Sequence, residues 1–337
     1  MIKPRQLKQN SKIGIVSPSY WLNEDDLIKT TRYYSDMGYR IKLGSSNQLK
    51  SGPFAGSPEE RAEDINAMFA DPSVDAIFCA RGGYGCNKVL PLIDYELIKK
   101  NPKIFMGFSD ITACLNSITQ KTKMVSFHGP MLVSNKNGPI EYNMRIMQQV
   151  LSGASNVIID TPEETPGRIL KSGVGTGPLW GGNITLLINR LGTGDSINTD
   201  GVILFLEDIN EYLYSFERML IHMKNAGMFN KISGLVFGEL KDLKEEDIPF
   251  GSSSDEIIMD ICGELDIPIV SNYPCGHGKY QATLPISIPA ELNANDHKPY
   301  LKVLESSVNK DESLNAKLYL VRNDVYCRYC RDFNWQY

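Results

Sequence analysis

A serine between an apolar segment and a helix is the clearest chemical feature of this sequence. Residues 104–106 form an apolar run typical of a buried strand, and the residues after Ser109 carry apolar side chains at helical spacing. Gly107 permits close packing or an unusual backbone angle beside this corner. The pattern is that of the G-x-S-x-G elbow of hydrolases, with Ile111 at the second glycine position. Ser109 is therefore a candidate nucleophile, and the alternative is that Ser109 or Asp110 caps the helix.

A serine hydroxyl needs a base to take its proton, and a carboxylate usually orients that base. The chain has four histidines. His277 stands between two glycines after an apolar strand, where a tight turn can present an imidazole, so it is the candidate base. His128 ends the strand after the serine helix; a position near Ser109 and a loop-bracing role are its two interpretations. His222 and His297 have neighbours typical of a solvated helix face and a surface turn.

Glu207 is the candidate for the orienting carboxylate, because it ends the apolar run 202–206. Ligand sites of parallel α/β sheets form beyond the carboxyl ends of the strands. Asp208 points to the opposite face by strand alternation. A solvated strand end or a helix cap is the alternative for Glu207. The chain order Ser109, Glu207, His277 matches the Ser, acid, His order of one hydrolase type.

Acyl transfer also requires hydrogen-bond donors for the developing oxyanion. The backbone N–H of Asp110 is the expected first donor, and Gly83, in the glycine-rich loop 81–85, is the expected second. This loop lacks the P-loop lysine and hydroxyl and differs from G-x-G-x-x-G, so a nucleotide-phosphate site is not predicted. The guanidinium of Arg81 suits the free carboxylate of a substrate, with a structural salt bridge as the alternative.

The elements that must position these residues alternate between strand and helix. Ser57 and Glu60 form a capping-box pattern before a helix that starts at Pro58. This alternation predicts parallel strands joined by right-handed crossovers. The predicted strands are 12–17, 39–43, 75–80, 103–108, 202–207, 234–238 and 267–271. Further predicted helices cover about 24–37, 184–191, 214–227 and 254–264, and residues 284–289 and 300–304 are predicted as antiparallel strands.

The fold class that follows is α/β with two domains. Residues 1–165 are predicted as an N-terminal parallel sheet flanked by helices, which carries the serine. Residues 166–305 are predicted as a C-terminal mixed α/β domain with late antiparallel strands, which carries Glu207 and His277. The turn-rich stretch 152–178 is interpreted as the linker. Residues 306–337 form a tail.

Composition excludes several classes of function. With 337 residues, two domains with ample cores are expected. A net charge of −5 without a Lys/Arg cluster argues against nucleic-acid binding. No apolar run approaches membrane-spanning length, and no hydrophobic segment follows the basic first residues, so a cytoplasmic protein is predicted. The seven cysteines are odd in number and sparse, which indicates reduced thiols.

Six sequence blocks carry a family resemblance over about residues 10–305. They are Arg81-Gly-Gly-Tyr-Gly85, Asn101-Pro-Lys-Ile-Phe-Met-Gly-Phe-Ser-Asp-Ile-Thr112, Phe127-His-Gly-Pro130, Gly181-Gly-Asn183, Phe205-Leu-Glu-Asp208 with Arg218-Met-Leu220, and Gly276-His-Gly278. In this order they resemble the LD-carboxypeptidase family of serine peptidases. The resemblance implies a triad of Ser109, Glu207 and His277 that works without a metal or cofactor. It also implies a cytoplasmic enzyme that removes the terminal D-alanine of murein tetrapeptides during cell-wall recycling, with diaminopimelate or lysine as the third residue.

A sub-branch of this family, the microcin C self-immunity peptidases, shares the triad and cleaves a peptidyl-nucleotide. That branch carries a longer insertion with a tryptophan before the Gly-Gly-Asn block. Here the segment from Asp160 to Gly181 is short, and its only tryptophan is Trp180. This favours the murein enzyme and leaves the microcin-type enzyme as the alternative. Arg81, Trp180 and Asn183 are the candidate substrate-binding residues.

Two further interpretations belong to other classes. Cys79, Cys86 and Cys275 lie in or beside the predicted site, so a cysteine peptidase using Cys86 or Cys275 is one alternative. A binding protein with two α/β domains around a cleft is the other. In the tail, Cys327 and Cys330 have C-x₂-C spacing without a second ligand pair, so zinc is not predicted. The tail's aromatic residues suggest packing on the body or on a second subunit, which would make a homodimer.

Overall fold

A computed structural model describes residues 1–295 and 297–310, so the predicted tail motif at Cys327 and Cys330 lies outside the described residues. The helices are α1 (Glu24–Asp36), α2 (Pro58–Ala70), α3 (Cys86–Val89), α4 (Tyr95–Lys100), α5 (Thr112–Thr122), α6 (Glu141–Leu151), α7 (Ile184–Ile188), α8 (Leu213–Asn225) and α9 (Ser254–Cys262). Short 3-10 turns cover Ser45–Gln48, Leu90–Leu92, Ser109–Ile111 and Leu132–Asn135. The strands are β1 (Lys12–Val16), β2 (Arg40–Leu43), β3 (Ala76–Cys79), β4 (Ile104–Gly107), β5 (Phe127–His128), β6 (Val157–Ile159), β7 (Arg168–Lys171), β8 (Val174–Asn183), β9 (Ile203–Glu207), β10 (Gly234–Gly238), β11 (Ile269–Tyr273), β12 (Leu284–Pro285), β13 (Pro289–Asn293) and β14 (Tyr300–Val303).

The first sheet has the strand order β12-β5-β4-β3-β1-β2. The pairs among β1 to β5 are parallel, and β12 joins β5 antiparallel. Strands β3 and β4 are buried along their whole length, as expected for parallel strands with helices on both faces. Ligands of parallel sheets bind at the carboxyl ends of the strands. Strand β4 ends at this edge, directly before the Ser109 corner.

The second sheet has the order β6-β14-β13-β8-β9-β10-β11-β7. Its centre, β8 to β11, is parallel, and its remaining pairs are antiparallel. The prediction of a mixed α/β fold with two sheets is confirmed. Strand β9 ends at Glu207 and β11 ends four residues before His277. Both side chains thus come from the carboxyl edge of the same parallel centre.

Local sequence signals explain where the helices begin. Ser57 accepts a hydrogen bond from the backbone of Glu60, whose side chain accepts from the Ser57 backbone. This capping box, with Pro58 in the first turn, starts α2 as predicted. A second capping box, between Ser253 and Glu256, starts α9.

The turn-rich stretch before residue 178 contains strands β6, β7 and the start of β8, where the sequence suggested only a linker. Glycines in β8 have a packing role. A Cβ atom added at Gly175, Gly177 or Gly181 would overlap a carbonyl oxygen of a neighbouring segment. Because the backbones approach so closely, these glycines belong to a strand interior and not to a flexible linker. The boundary near residue 165 stays a prediction.

The predicted strand 284–289 is also different in the structure. Only Leu284 and Pro285 form β12, which adds to the first sheet, whereas β13 begins at Pro289 in the second sheet. The largest buried apolar cluster joins side chains from both sheets, such as Phe105 of β4 and Phe205 of β9. The two sheets therefore pack around a shared core. In the described part of the chain, every helix is too short or too polar to cross a membrane.

Candidate active site

Ser109 occupies a strained corner. Its φ angle is +62°, in the left-handed region that costs an L-residue about 1 kcal/mol or more. A Cβ atom added at Gly107 would lie 2.8 Å from Cγ2 of Ile111, so Gly107 is needed for close packing of the corner. The 3-10 turn that starts at Ser109 has Phe108 as its N-cap, without a side-chain capping bond. Neither Ser109 nor Asp110 therefore serves as the helix cap.

The His277 imidazole joins the serine to a carboxylate. Its Nε2 lies 3.0 Å from Ser109 Oγ, and its Nδ1 lies 2.7 Å from Glu207 Oε2. A carboxylate accepts hydrogen bonds, so Nδ1 donates to Glu207 and Nε2 is left to accept from the serine hydroxyl. Glu207 is 0% exposed and the His277 side chain 15%. The three residues that the sequence singled out thus lie together in the tautomer and order that nucleophile activation requires.

Glu239 packs closely against the His277 loop, and the sequence analysis did not identify it. A Cβ atom added at Gly276 would lie 2.5 Å from the Glu239 carbonyl oxygen, and one added at Gly278 would overlap its carboxylate. The two glycines that flank His277 are thus required because Glu239, just after β10, fills the space beside them. That pair of glycines is the sequence signal that a close neighbour existed.

His128 braces the same loop from the first sheet. Its Nε2 lies 2.8 Å from the Cys275 carbonyl oxygen, which can only accept, so Nε2 carries the proton. Burial lowers the pKa of the imidazole and outweighs the charge of Glu207, which acts in the opposite direction. His128 is therefore neutral and bound to the backbone two residues before His277, as the bracing interpretation anticipated.

The charges around His277 favour its protonated form overall. Burial lowers the pKa of the imidazole, but the charge and hydrogen bond of Glu207, with the charges of Asp208 and Glu239, raise it above the usual 6.5. Asp208 lies one residue beyond Glu207 and faces away from the triad. Burial, and then the Glu207 charge, raise the pKa of Asp208 to about 6.

The two predicted oxyanion donors belong to segments that meet at the serine corner. The Asp110 carboxylate accepts from Ser19 Oγ at 2.5 Å and from the backbone N–H of Cys86 at 2.9 Å, which ties the glycine-rich loop to the serine corner. A Cβ atom at Gly82 would lie 3.1 Å from Ser109 Cβ. The Gly82 carbonyl accepts from Tyr20 at 3.4 Å, so the next N–H, that of Gly83, points away from Tyr20.

The candidate substrate-binding residues differ in their surroundings. Arg81 is half-buried, and its Nη1 makes a long hydrogen bond of 3.4 Å to the Trp21 carbonyl oxygen. Among the described residues Arg81 has no carboxylate partner, so the salt-bridge alternative is not found there. Trp180 is half-buried and packs against both apolar clusters.

Asn183 is buried and caps α7 through its Oδ1, which accepts from Leu186 at 3.2 Å. Its Nδ2 donates to Asp208 at 3.0 Å. The Asp208 carboxylate also accepts from the backbone and hydroxyl of Thr185, both at 3.0 Å. The hydrogen bond between Asn183 and Asp208 therefore links the end of β8 to the residue that follows Glu207 at the end of β9. A direct contact between Asn183 and substrate stays a prediction.

The thiols near the site are poor nucleophiles. Cys79, Cys86 and Cys275 are buried, and burial raises the pKa of each thiol well above its usual range. A reactive cysteine needs an exposed, electropositive setting. Ser109 is the better candidate on this geometry.

Comparison with known proteins identifies the family. Residues 13–129 match the LD-carboxypeptidase N-terminal domain, and residues 176–292 match the LD-carboxypeptidase C-terminal domain. The chain is 30% identical over 308 residues to a probable murein peptide carboxypeptidase of Bacillus subtilis, covering 91% of this chain and 96% of the relative. It is 28% identical over 295 residues to the murein tetrapeptide carboxypeptidase of Pseudomonas aeruginosa, covering 85% and 94%.

A solved structure of MccF in complex with glutamyl sulfamoyl guanosine shares the fold. Its TM-score is 0.84 at 22% identity, with 92% of this chain and 100% of the MccF chain covered. The two family domains together span most of the described residues, and the relatives align over nearly their whole lengths. The chain therefore belongs to the LD-carboxypeptidase family and is a hydrolase of the serine peptidase class.

Proposed function

We propose that this protein hydrolyses the L,D peptide bond before the terminal D-alanine of murein tetrapeptides, with Ser109 as nucleophile, His277 as base and Glu207 as the orienting carboxylate. The observation that carries the proposal is the His277 imidazole, 3.0 Å from the Ser109 hydroxyl and 2.7 Å from Glu207. The murein peptide carboxypeptidases among its relatives support the substrate class.

Acylation begins when Ser109 Oγ attacks the carbonyl carbon before the terminal D-residue. The hydroxyl proton passes to His277 Nε2, while Glu207 stabilises the imidazolium that forms. The backbone N–H groups of Asp110 and Gly83 donate to the oxyanion. As the C–N bond breaks, the imidazolium gives its proton to the departing amine, which leaves as D-alanine. The shortened peptide stays esterified to Ser109.

Deacylation repeats the sequence with water. His277 takes a proton from the water, the hydroxide adds to the ester carbonyl, and the Ser109 oxygen leaves as it recovers a proton from the imidazolium. The products are free D-alanine and a tripeptide. Besides the substrate and water, each step uses only side chains and backbone groups of this chain, so the proposal requires no metal or cofactor.

Arg81 is the proposed anchor for the carboxylate of the terminal residue. It belongs to the loop that carries the proposed oxyanion donor Gly83, and its guanidinium has no carboxylate partner among the described residues. A guanidinium binds a carboxylate through two parallel hydrogen bonds. This contact would select substrates with a free C-terminus, as a carboxypeptidase requires. We place the reaction in the cytoplasm, on fragments released during cell-wall recycling.

A microcin-type peptidase that cleaves a peptidyl-nucleotide is the second candidate, because the fold matches MccF at a TM-score of 0.84. The short segment before the Gly-Gly-Asn block argues against it. Residues 161–183 hold β7 and β8, and Trp180 lies in β8 itself, half-buried between the two apolar clusters. No long insertion is present there to cover a nucleotide.

The test is mass spectrometry of the products from a synthetic LD-tetrapeptide and from a peptidyl-adenylate. We expect release of D-alanine from the tetrapeptide, loss of this release in Ser109→Ala, and much slower cleavage of the adenylate. Faster cleavage of the adenylate would favour the second candidate. Full activity of Ser109→Ala would show that another residue is the nucleophile.

A further inference from the structure

The buried side chain of Asp110 has no part in the proposed mechanism, which uses only the backbone N–H of this residue. Asp110 follows the nucleophile and is 1% exposed. A carboxylate is costly to bury unless hydrogen bonds replace those to water. Its hydrogen bonds connect three chain segments, residues 17–20 after β1, 81–86 after β3 and 108–111 after β4. Strands β4, β3 and β1 are parallel neighbours, so their carboxyl ends meet at one edge of the first sheet.

One oxygen of this carboxylate joins the three segments. Asp110 Oδ2 accepts a hydrogen bond from Ser19 Oγ at 2.5 Å and another from the backbone N–H of Cys86 at 2.9 Å. Ser19 Oγ also lies 3.2 Å from Cys86 Sγ. Hydrogen bonds to a charged acceptor are stronger than those between neutral groups. These contacts therefore fix the segments after β1 and β3 to the residue that follows Ser109.

The glycine-rich loop depends on these contacts for its position. Gly83, whose N–H is the proposed second oxyanion donor, has a φ angle of +126°. Because glycine has the freest backbone of all residues, such a loop needs outside contacts to keep one conformation. Tyr20 supplies one, since a Cβ atom added at Gly83 would lie 2.5 Å from the Tyr20 ring. Asp110 thus holds this loop directly through Cys86, and indirectly through Ser19 and the adjoining Tyr20.

We propose that Ser19 and the Asp110 side chain are positioning residues of the oxyanion hole. Their hydrogen bonds keep the Gly83 N–H where it can donate to the oxyanion that forms when Ser109 attacks. The inference rests on the proposed function, whose acylation step requires this hole. Asp110 then serves both donors, through its own N–H and through the position of the other. Because the oxyanion exists only after attack, misplacing a donor should slow the reaction without weakening substrate binding.

Two serines after β1 provide a matched pair of variants. Ser17 and Ser19 are both buried, but Ser17 Oγ donates to Asn47 Oδ1 at 2.9 Å, in the 3-10 turn after β2. Each change to alanine removes one buried hydroxyl, and Ser19→Ala is the one that removes a hydrogen bond to Asp110. Since loss of a whole oxyanion donor costs about 10²–10³ in kcat, we expect Ser19→Ala to lower kcat for D-alanine release about 10-fold or more, with KM changed less than about 2-fold. Ser17→Ala should change kcat less than about 3-fold.

Labelling by a fluorophosphonate gives a second readout that does not depend on peptide turnover. Ser109 Oγ attacks the phosphorus, fluoride leaves, and the phosphonyl oxygen occupies the oxyanion hole during the attack. We expect labelling of Ser109 to be about 10-fold slower in Ser19→Ala than in Ser17→Ala. The pH at which the labelling rate is half-maximal should stay the same, because neither serine contacts His277 or Glu207 in the described contacts.

Unchanged kcat in Ser19→Ala, or an equal loss in Ser17→Ala, would overturn the proposal. A loss carried by KM, or a shifted pH dependence of labelling, would also overturn it, since either would show a general disturbance of the site. If Ser19→Ala does not fold, Asp110→Asn replaces it with the same expected results, because asparagine keeps the shape and one acceptor oxygen. Absence of D-alanine release by the wild type would refute the proposed function, while the labelling rates would still decide the role of Ser19.

Discussion

Replacing Glu207 by glutamine tests the proposed triad with little change of shape. Glu207 is 0% exposed, and its Oε2 receives the His277 Nδ1 hydrogen bond at 2.7 Å. Its Oε1 has no hydrogen-bond partner among the described residues. The glutamine side chain can therefore turn either its oxygen or its NH₂ group toward His277 without breaking another contact.

Both orientations slow the reaction. With the oxygen toward Nδ1 the tautomer survives, but the charge that stabilises the imidazolium is lost. For charges about 4 Å apart at an effective dielectric constant of about 20, this is about 4 kcal/mol, or about 10³-fold in kcat. With the NH₂ group toward Nδ1, the proton moves to Nε2, which can then no longer accept the Ser109 proton. Such a wrong tautomer lowers kcat by about 10⁴ in other serine peptidases.

The assay is D-alanine release from a synthetic tetrapeptide, coupled to a D-amino acid oxidase, with circular dichroism as the check of folding. We expect kcat to fall about 10³-fold or more. The matched control is Glu163→Gln, at a side chain that is 91% exposed and pairs with Lys298 at 3.3 Å; it should leave kcat unchanged. A folded Glu207→Gln protein that retains more than about a tenth of the wild-type kcat would refute the assignment.

Four further predictions come from the same geometry. Because His277 must be neutral to act as base and neighbouring charges raise the pKa of its imidazole, kcat/KM should fall as the pH drops through a value above 6.5. Asp208→Asn should move this acid limb to lower pH, since it removes a charge that favours the imidazolium; an unmoved limb would contradict the electrostatic account. Gly278→Ala should lower kcat at least about 10-fold by pushing Glu239 and the His277 loop apart. Gly194→Ala should leave kcat unchanged, because no atom lies within 4 Å of a Cβ added there. Iodoacetamide should leave the native enzyme active, because Cys86 and Cys275 are buried and their thiols have raised pKa values; inactivation with a modified Cys86 or Cys275 would favour the cysteine peptidase.

Much of the fold could be predicted because buried parallel strands are short, continuous apolar runs in the sequence. Strands β4, β9 and β10 are short apolar runs, and the capping box of α2 is a purely local signal. Strands β6 and β12 could not be predicted in the same way. They have three and two residues, and their partners, β14 and β5, are far away in the chain. Strand β8 was not predicted because its glycines suggest turns when the sequence is read alone. In the structure these glycines permit close approach of neighbouring backbones.

The site could be predicted in its residue types but not in its contacts. The choice of catalytic residues is small, because the chain has four histidines, one serine corner and one candidate acid at a strand end. The family resemblance supplied the roles of nucleophile, base and orienting carboxylate. The convergence of Ser109 with His277, 168 residues apart, depends on the packing of two sheets around a shared core. Glu239 was not predicted because the glycines beside His277 indicate a close neighbour but do not identify which residue it is.

The most direct test of the central claim is labelling with a fluorophosphonate, followed by peptide mapping with tandem mass spectrometry. The account predicts a single phosphonylated residue, Ser109, with labelling that becomes much slower in His277→Ala and in Glu207→Gln. A label on another residue, or equally fast labelling of Ser109 in those two variants, would contradict the claim that His277 and Glu207 activate this serine.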